Sequence, residues 1–84
     1  MKMQEMMVIF DLMSKLEKII EEEGYGNIRS IQLKVGAETL LILEELQRAF
    51  DFIRKPPYQD AILEIELTQG SLIQLVGIDG DYYS

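Results

Sequence analysis

The sequence predicts an α+β fold, a two-layer sandwich in which two helices cover one face of a three-stranded mixed sheet. Three observations predict it: a long amphipathic pattern at the start of the chain, a second helical pattern closed by Pro56 and Pro57, and extended segments that alternate apolar and polar residues. The expected order is helix, strand, helix, strand, strand. Because a helix lies between the first two strands, we expect those strands to run parallel.

The first predicted helix covers residues 3–23, where apolar residues recur at helical spacing. They form two adjoining stripes: Met6, Phe10, Met13, Leu16 and Ile20, and beside them Ile9, Leu12, Leu16 and Ile19. Such a wide apolar arc is expected to contact the sheet and also a second helix or a second subunit. Gly24 follows the last turn and is the residue type that caps helices in the left-handed conformation.

The first strand is predicted at Ile31, Leu33 and Val35, which alternate with polar residues after a turn over residues 25–27. Gly36 ends this strand.

The second helix is expected to begin near Thr39, whose side chain is a suitable N-cap. Its buried stripe is Leu43, Leu46, Phe50 and Ile53. Pro56 and Pro57 cannot continue a helix, so it should end by residue 55.

Two extended segments complete the chain. In the first, residues 62–68, three apolar residues alternate with Glu64 and Glu66. Gln69 and Gly70 link it to a second run at residues 71–78, and so short a glycine-containing link predicts a hairpin. Gly77 suggests a bulge in that last strand.

The C-terminal tail, residues 79–84, is expected to be frayed unless a partner orders it. Asp79 and Asp81 fit a turn better than a calcium loop, because the rest of the twelve-residue calcium pattern is missing.

Size and charge narrow the classes of function. The chain has 84 residues and a mass of 9.7 kDa, so residues 1–84 are expected to form a single domain. Eight basic against fifteen acidic residues give a net charge of −7, which disfavours nucleic acid and anionic membranes as partners. The apolar runs are too short to span a bilayer or to serve as a signal peptide, so a cytoplasmic location is expected.

Cysteine and histidine are both absent from the sequence. Their absence removes thiol nucleophiles, imidazole bases and the ligands that zinc prefers. No glycine-rich phosphate loop is present either. The sequence therefore predicts a protein that is not an enzyme, with no zinc and no certain cofactor.

Several short motifs follow one another in an order that points to a family. They are Met3-Gln4-Glu5, IQLKVG at residues 31–36, Leu46 with Ala49-Phe50-Asp51, and LEIE at residues 63–66. In order and spacing they resemble the nickel-insertion domain of HypA proteins, which help to assemble nickel–iron hydrogenase and sometimes urease. The resemblance covers roughly residues 3–78 and implies the same fold.

Two departures from the family pattern concern metals. HypA proteins carry a zinc-binding insertion between their second and third strands, and here residues 62–68 and 71–78 are joined directly. The family's nickel site is an N-terminal Met-His-Glu; Gln4 stands at the histidine position, Glu5 at that of the glutamate, and two residues precede the motif. Gln4 and Glu5 are thus the candidate metal ligands. Since an amide oxygen binds nickel less well than an imidazole, weak or absent nickel binding is expected.

The resemblance implies an accessory protein for hydrogenase maturation that docks on a hydrogenase precursor or a maturation GTPase. The alternative is a degenerate paralogue that serves as a non-metal interaction or assembly module, as a homodimer. Either function requires an exposed interface, and aromatic residues supply large contact areas. The candidate interface residues are Ile9, Leu12, Ile19, Tyr82 and Tyr83.

Overall fold

A computed structural model describes residues 3–83, and its elements follow the predicted order. Two helices accompany a three-stranded mixed sheet, which confirms the α+β fold. The elements are α1 (Met3–Glu23), β1 (Tyr25–Gly36), α2 (Leu43–Ile53), β2 (Ile62–Thr68) and β3 (Ile73–Tyr82), with a 3-10 turn over Ala37–Thr39.

The sheet is organised around β1, in the order β2-β1-β3. β1 runs parallel to β2, as predicted from the helix between them, and antiparallel to β3. On the face away from the helices, Lys34 lies between Glu66 of β2 and Gln74 of β3. A register shift next to Gly77 places a bulge there, as the glycine suggested.

The predicted hairpin between β2 and β3 is wrong, because the two strands lie on opposite sides of β1. Their link passes over the end of β1 instead: the Gly36 amide donates to Leu72 O at 2.8 Å, and the Glu38 amide donates to Gly70 O at 2.9 Å. A Cβ atom at Gly36 would collide with the Gly70 carbonyl. The lack of a side chain at Gly36 therefore allows the link between β2 and β3 to pass over the end of β1.

The predictions for residues 25–27 and for the tail are also wrong. β1 begins at Tyr25, and Tyr82 pairs with it across the sheet. The guanidinium of Arg29 contacts Asp79 at 3.0 Å and Asp81 at 2.6 Å, and these two carboxylates raise the pKa of Arg29. Asp79 and Asp81 thus lie in a strand and not in a turn. Residue 84 lies outside the described residues.

Thr39 does not cap α2, which begins four residues later at Leu43. Its hydroxyl donates to Gly36 O at 2.7 Å and accepts from the Leu41 amide at 3.3 Å. Thr39 therefore closes the 3-10 turn that precedes α2. The helix ends at Ile53, within the limit predicted from the two prolines.

The core lies between the helices and the inner face of the sheet. Phe50 is fully buried, stacks on Tyr58 with ring centroids 6.2 Å apart, and carries the Arg54 guanidinium 4.5 Å above its ring. Phe10, expected on the buried stripe of α1, is instead 55% exposed. The buried arc of α1 is narrower than predicted and consists of Glu5, Ile9, Leu12, Met13 and Leu16.

The neighbouring aromatics Phe50 and Phe52 give a matched test of this packing. Phe50→Ala should lower the free energy of unfolding by about 3–5 kcal/mol, because it removes a fully buried aromatic ring. Phe52→Ala, at a position that is 75% exposed, should change it by less than about 0.5 kcal/mol. Urea denaturation followed by circular dichroism measures both. Equal losses for the two variants would show that the buried face of α2 is assigned wrongly.

Candidate functional site

The two candidate metal ligands lie next to each other in the first turn of α1 but in different surroundings. Gln4 is exposed to solvent, whereas Glu5 is 1% exposed. Successive side chains on a helix diverge by about 100°, so the two residues point in different directions.

The Glu5 carboxylate accepts a hydrogen bond at the start of α2. Its Oε2 accepts the backbone amide of Ile42 at 2.9 Å, and Ile42 is the N-cap residue of α2. An isoleucine side chain cannot accept a hydrogen bond, and the free amides at a helix start attract an anion. Glu5 therefore caps α2 from α1. Sequence patterns missed this contact because 37 residues separate the partners.

A second carboxylate lies in the first turn of α2. Glu45 Oε1 is 3.4 Å from Arg48, while Glu45 Oε2 and Glu5 Oε1 are both buried and have no hydrogen-bond partner among residues 3–83. No group of three or more histidine, cysteine or acidic side chains among residues 3–83 is arranged to hold a metal ion. Glu5 already has a backbone partner, and an amide replaces the imidazole. These residues do not fit a nickel site of the family's kind.

The cap predicts a stability difference between neighbouring positions. Glu5→Ala should lower the free energy of unfolding by about 1–3 kcal/mol, since it leaves the Ile42 amide without a partner. Glu5→Gln should lose less, because an amide oxygen can still accept from Ile42. Gln4→Ala is the control and should be close to neutral. Chemical denaturation compares the three variants with the parent, and a Glu5→Ala variant as stable as Gln4→Ala would disprove the cap.

A polar cluster joins α1 to the segment after α2. Lys55 Nζ lies 2.8 Å from Glu17 Oε1, and the Tyr58 hydroxyl donates to the same oxygen at 3.4 Å. The hydrogen bond from Lys55 lowers the pKa of Glu17, and burial raises the pKa of Tyr58. The cluster borders an open depression of about 350 Å³ beside Phe10. Its contacts link parts of this chain, so we interpret it as structural.

The lowered pKa of Glu17 gives a stability that depends on pH in a defined direction. A carboxyl group whose pKa is lower in the folded state stabilises the fold above its usual pKa of about 4.5, and the effect disappears as the pH falls through the folded value. Glu17→Gln should therefore lower the melting temperature by a few degrees at pH 7 and by less at pH 3. Glu22→Gln, at another exposed position of α1, is the control. A deficit equal at both pH values would contradict this assignment.

The structure separates the candidate interface residues into two groups. Ile9 is fully buried and Leu12 is 5% exposed, so both belong to this chain's own core and cannot meet a partner. Ile19 is half-buried at the edge of that core. Tyr82 and Tyr83 are exposed, although Tyr82 stacks on Tyr25 with ring centroids 4.7 Å apart. An interface at these last three residues remains a prediction.

No helix among the described residues has the length and apolar character needed to cross a membrane. No protein-family model matches the sequence. No curated protein matches it either. Among solved structures, the fold is similar to the solution structure of the Ni metallochaperone HypA from Helicobacter pylori. The two have a TM-score of 0.83 and 16% sequence identity, and the match covers 94% of this chain and 98% of that one. The chain therefore has a HypA-like fold.

Proposed function

We propose that this protein is a HypA-like accessory factor for the maturation of a nickel enzyme, a hydrogenase, and acts in the cytoplasm through protein–protein contacts with weak or absent nickel binding. The similarity of its fold to a nickel metallochaperone along 94% of the chain carries this proposal. Its partners would be a hydrogenase precursor or a maturation GTPase. It would have no catalytic activity of its own, since the sequence contains neither a histidine base nor a cysteine nucleophile.

The residues that stand at the family's nickel-ligand positions, Gln4 and Glu5, support the proposal of weak nickel binding. Nickel prefers imidazole nitrogen and thiolate sulfur, and the chain contains neither histidine nor cysteine. Glu5 accepts the Ile42 amide and is 1% exposed, so binding a metal would require it to leave the α2 cap. Gln4 is exposed and offers only a neutral amide. A metal would have to compete with a contact that stabilises the fold.

A second candidate function is supported by the same burial of Glu5 together with the exposed surface of α1. In this alternative the protein is a non-metal assembly module and a homodimer. Met3, Met7 and Phe10 are 75%, 63% and 55% exposed and lie along one side of the helix. Exposed apolar stripes of this kind mark contact surfaces in soluble proteins.

Calorimetric titration of nickel into tag-free protein tests the metal part of the proposal. We expect no heat, or a dissociation constant weaker than about 1 μM. Gln4→His, which returns an imidazole at an exposed position, should tighten binding, and Gln59→His at an exposed loop position is the control. Binding tighter than about 1 μM in the parent that is lost in Glu5→Ala would show that Glu5 is a metal ligand after all.

Binding experiments without metal test the proposal that the protein binds a hydrogenase precursor or a maturation GTPase. With a chelator present, the immobilised protein should bind a purified hydrogenase precursor or maturation GTPase. If neither binds with or without nickel, while the protein is dimeric, the assembly module becomes the better account.

A further inference from the structure

The two edge strands of the sheet, β2 and β3, differ in whether other parts of the chain cover their outer backbone groups. Two side chains from α2 and the residue after it cover the β2 edge. Gln47 Nε2 donates to Leu63 O at 2.6 Å, and Arg54 donates to Ala61 O. Among residues 3–83, no side chain or loop donates to or accepts from the outer backbone of β3, over Ile73–Tyr82. An uncovered edge strand presents free amides and carbonyls to any strand that can pair with it.

The contacts of β3 show which backbone groups face outward. Leu72 O accepts the Gly36 amide and thus points toward β1. Backbone groups alternate in direction along an antiparallel strand, so those of Ile73 and Leu75 point away from β1. These two residues expose a donor and an acceptor each at the free edge.

The first part of this edge, before the bulge next to Gly77, lacks the usual protection. Natural edge strands carry charged residues or proline, yet residues 67–78 contain neither in a chain of net charge −7. Leu72, Ile73 and Val76 are 68%, 39% and 50% exposed. Ile73 and Leu75 also border an open groove of about 240 Å³ against α1, so the helices of this chain do not cover them fully.

We propose that β3 pairs in antiparallel orientation with β3 of a second copy, centred on Gln74. Residues 72–76 read Leu-Ile-Gln-Leu-Val, which is apolar on both sides of a central glutamine. Around a two-fold axis at Gln74, Ile73 faces Leu75 of the second copy and Leu72 faces Val76 of the second copy. The two Gln74 side chains face each other and can exchange hydrogen bonds. A contact between identical patches must be self-complementary, and this segment is.

The charge distribution around β3 is compatible with a second copy as the occupant. Two chains of net charge −7 repel each other unless their acidic groups stay apart. In the pairing centred on Gln74, Asp79 and Asp81 lie beyond the paired segment, and within each copy both form ion pairs with Arg29. Residues 72–76 carry no charge, so the paired segments themselves bring no like charges together. The inference rests on the second candidate function only for the existence of a homodimer, and it places the contact between the copies on β3 and not on the exposed stripe of α1.

Two variants at Gln74 test the pairing. Gln74→Glu places like charges opposite each other in the dimer, but within one chain it faces Lys34, so the monomer should remain folded. Light scattering coupled to gel filtration should give a dimer for the parent and a monomer for Gln74→Glu. Phe10→Glu, on the exposed side of α1 and outside the groove beside Ile73 and Leu75, should remain dimeric. Circular dichroism checks that each variant is folded.

Because the sequence contains no cysteine, a single introduced cysteine can test by cross-linking whether position 74 lies on the two-fold axis. Gln74→Cys should form an intermolecular disulfide under mild oxidation, because residues opposite themselves across an antiparallel axis bring their Cβ atoms within about 4.5–5.5 Å. Gln59→Cys is the exposed control and should not. A monomeric parent overturns both the pairing and the homodimer of the second candidate. A dimer that Phe10→Glu dissociates and Gln74→Glu leaves intact overturns the β3 pairing alone.

Discussion

The hydrogen bond from the Ile42 amide to the Glu5 carboxylate fixes the relation between the two helices. It joins the first turn of α1 to the first turn of α2 at 2.9 Å, inside a region where Glu5 is 1% exposed. The N-cap residue of α2 is Ile42, whose side chain cannot accept a hydrogen bond, so the helix depends on an acceptor supplied from elsewhere in the chain. The segment between β1 and α2 is held in place by the same contact.

This cap has a consequence for function, because Glu5 stands at a position that belongs to the nickel site in the family the sequence resembles. A HypA-like fold is present, but folds carry different functions on the same scaffold. Here the glutamate serves the packing of the helices, and the neighbouring position holds an amide. The amide at the histidine position and the engaged carboxylate of Glu5 support our proposal that the protein acts through contacts with other proteins.

Local patterns predicted much of this fold, and contacts between distant residues account for what they missed. The periodicity of α1, the alternation around Leu33 and the prolines after α2 are local signals, and each predicted its element. The link across Gly36 was mistaken for a hairpin because a short glycine-containing turn looks the same whether or not a third strand lies between its ends. The tail is ordered by Arg29, 50 residues away from Asp79. No spacing rule relates such residues.

Nuclear magnetic resonance of the Ile42 amide during addition of nickel tests the central claim most directly, because that amide reports on the cap. We predict that its hydrogen exchange is slow in the metal-free protein, and that an excess of nickel leaves its signal and its exchange rate unchanged. Rapid exchange without metal, or selective broadening of this signal by nickel, would show that Glu5 is free to bind a metal and would contradict the account.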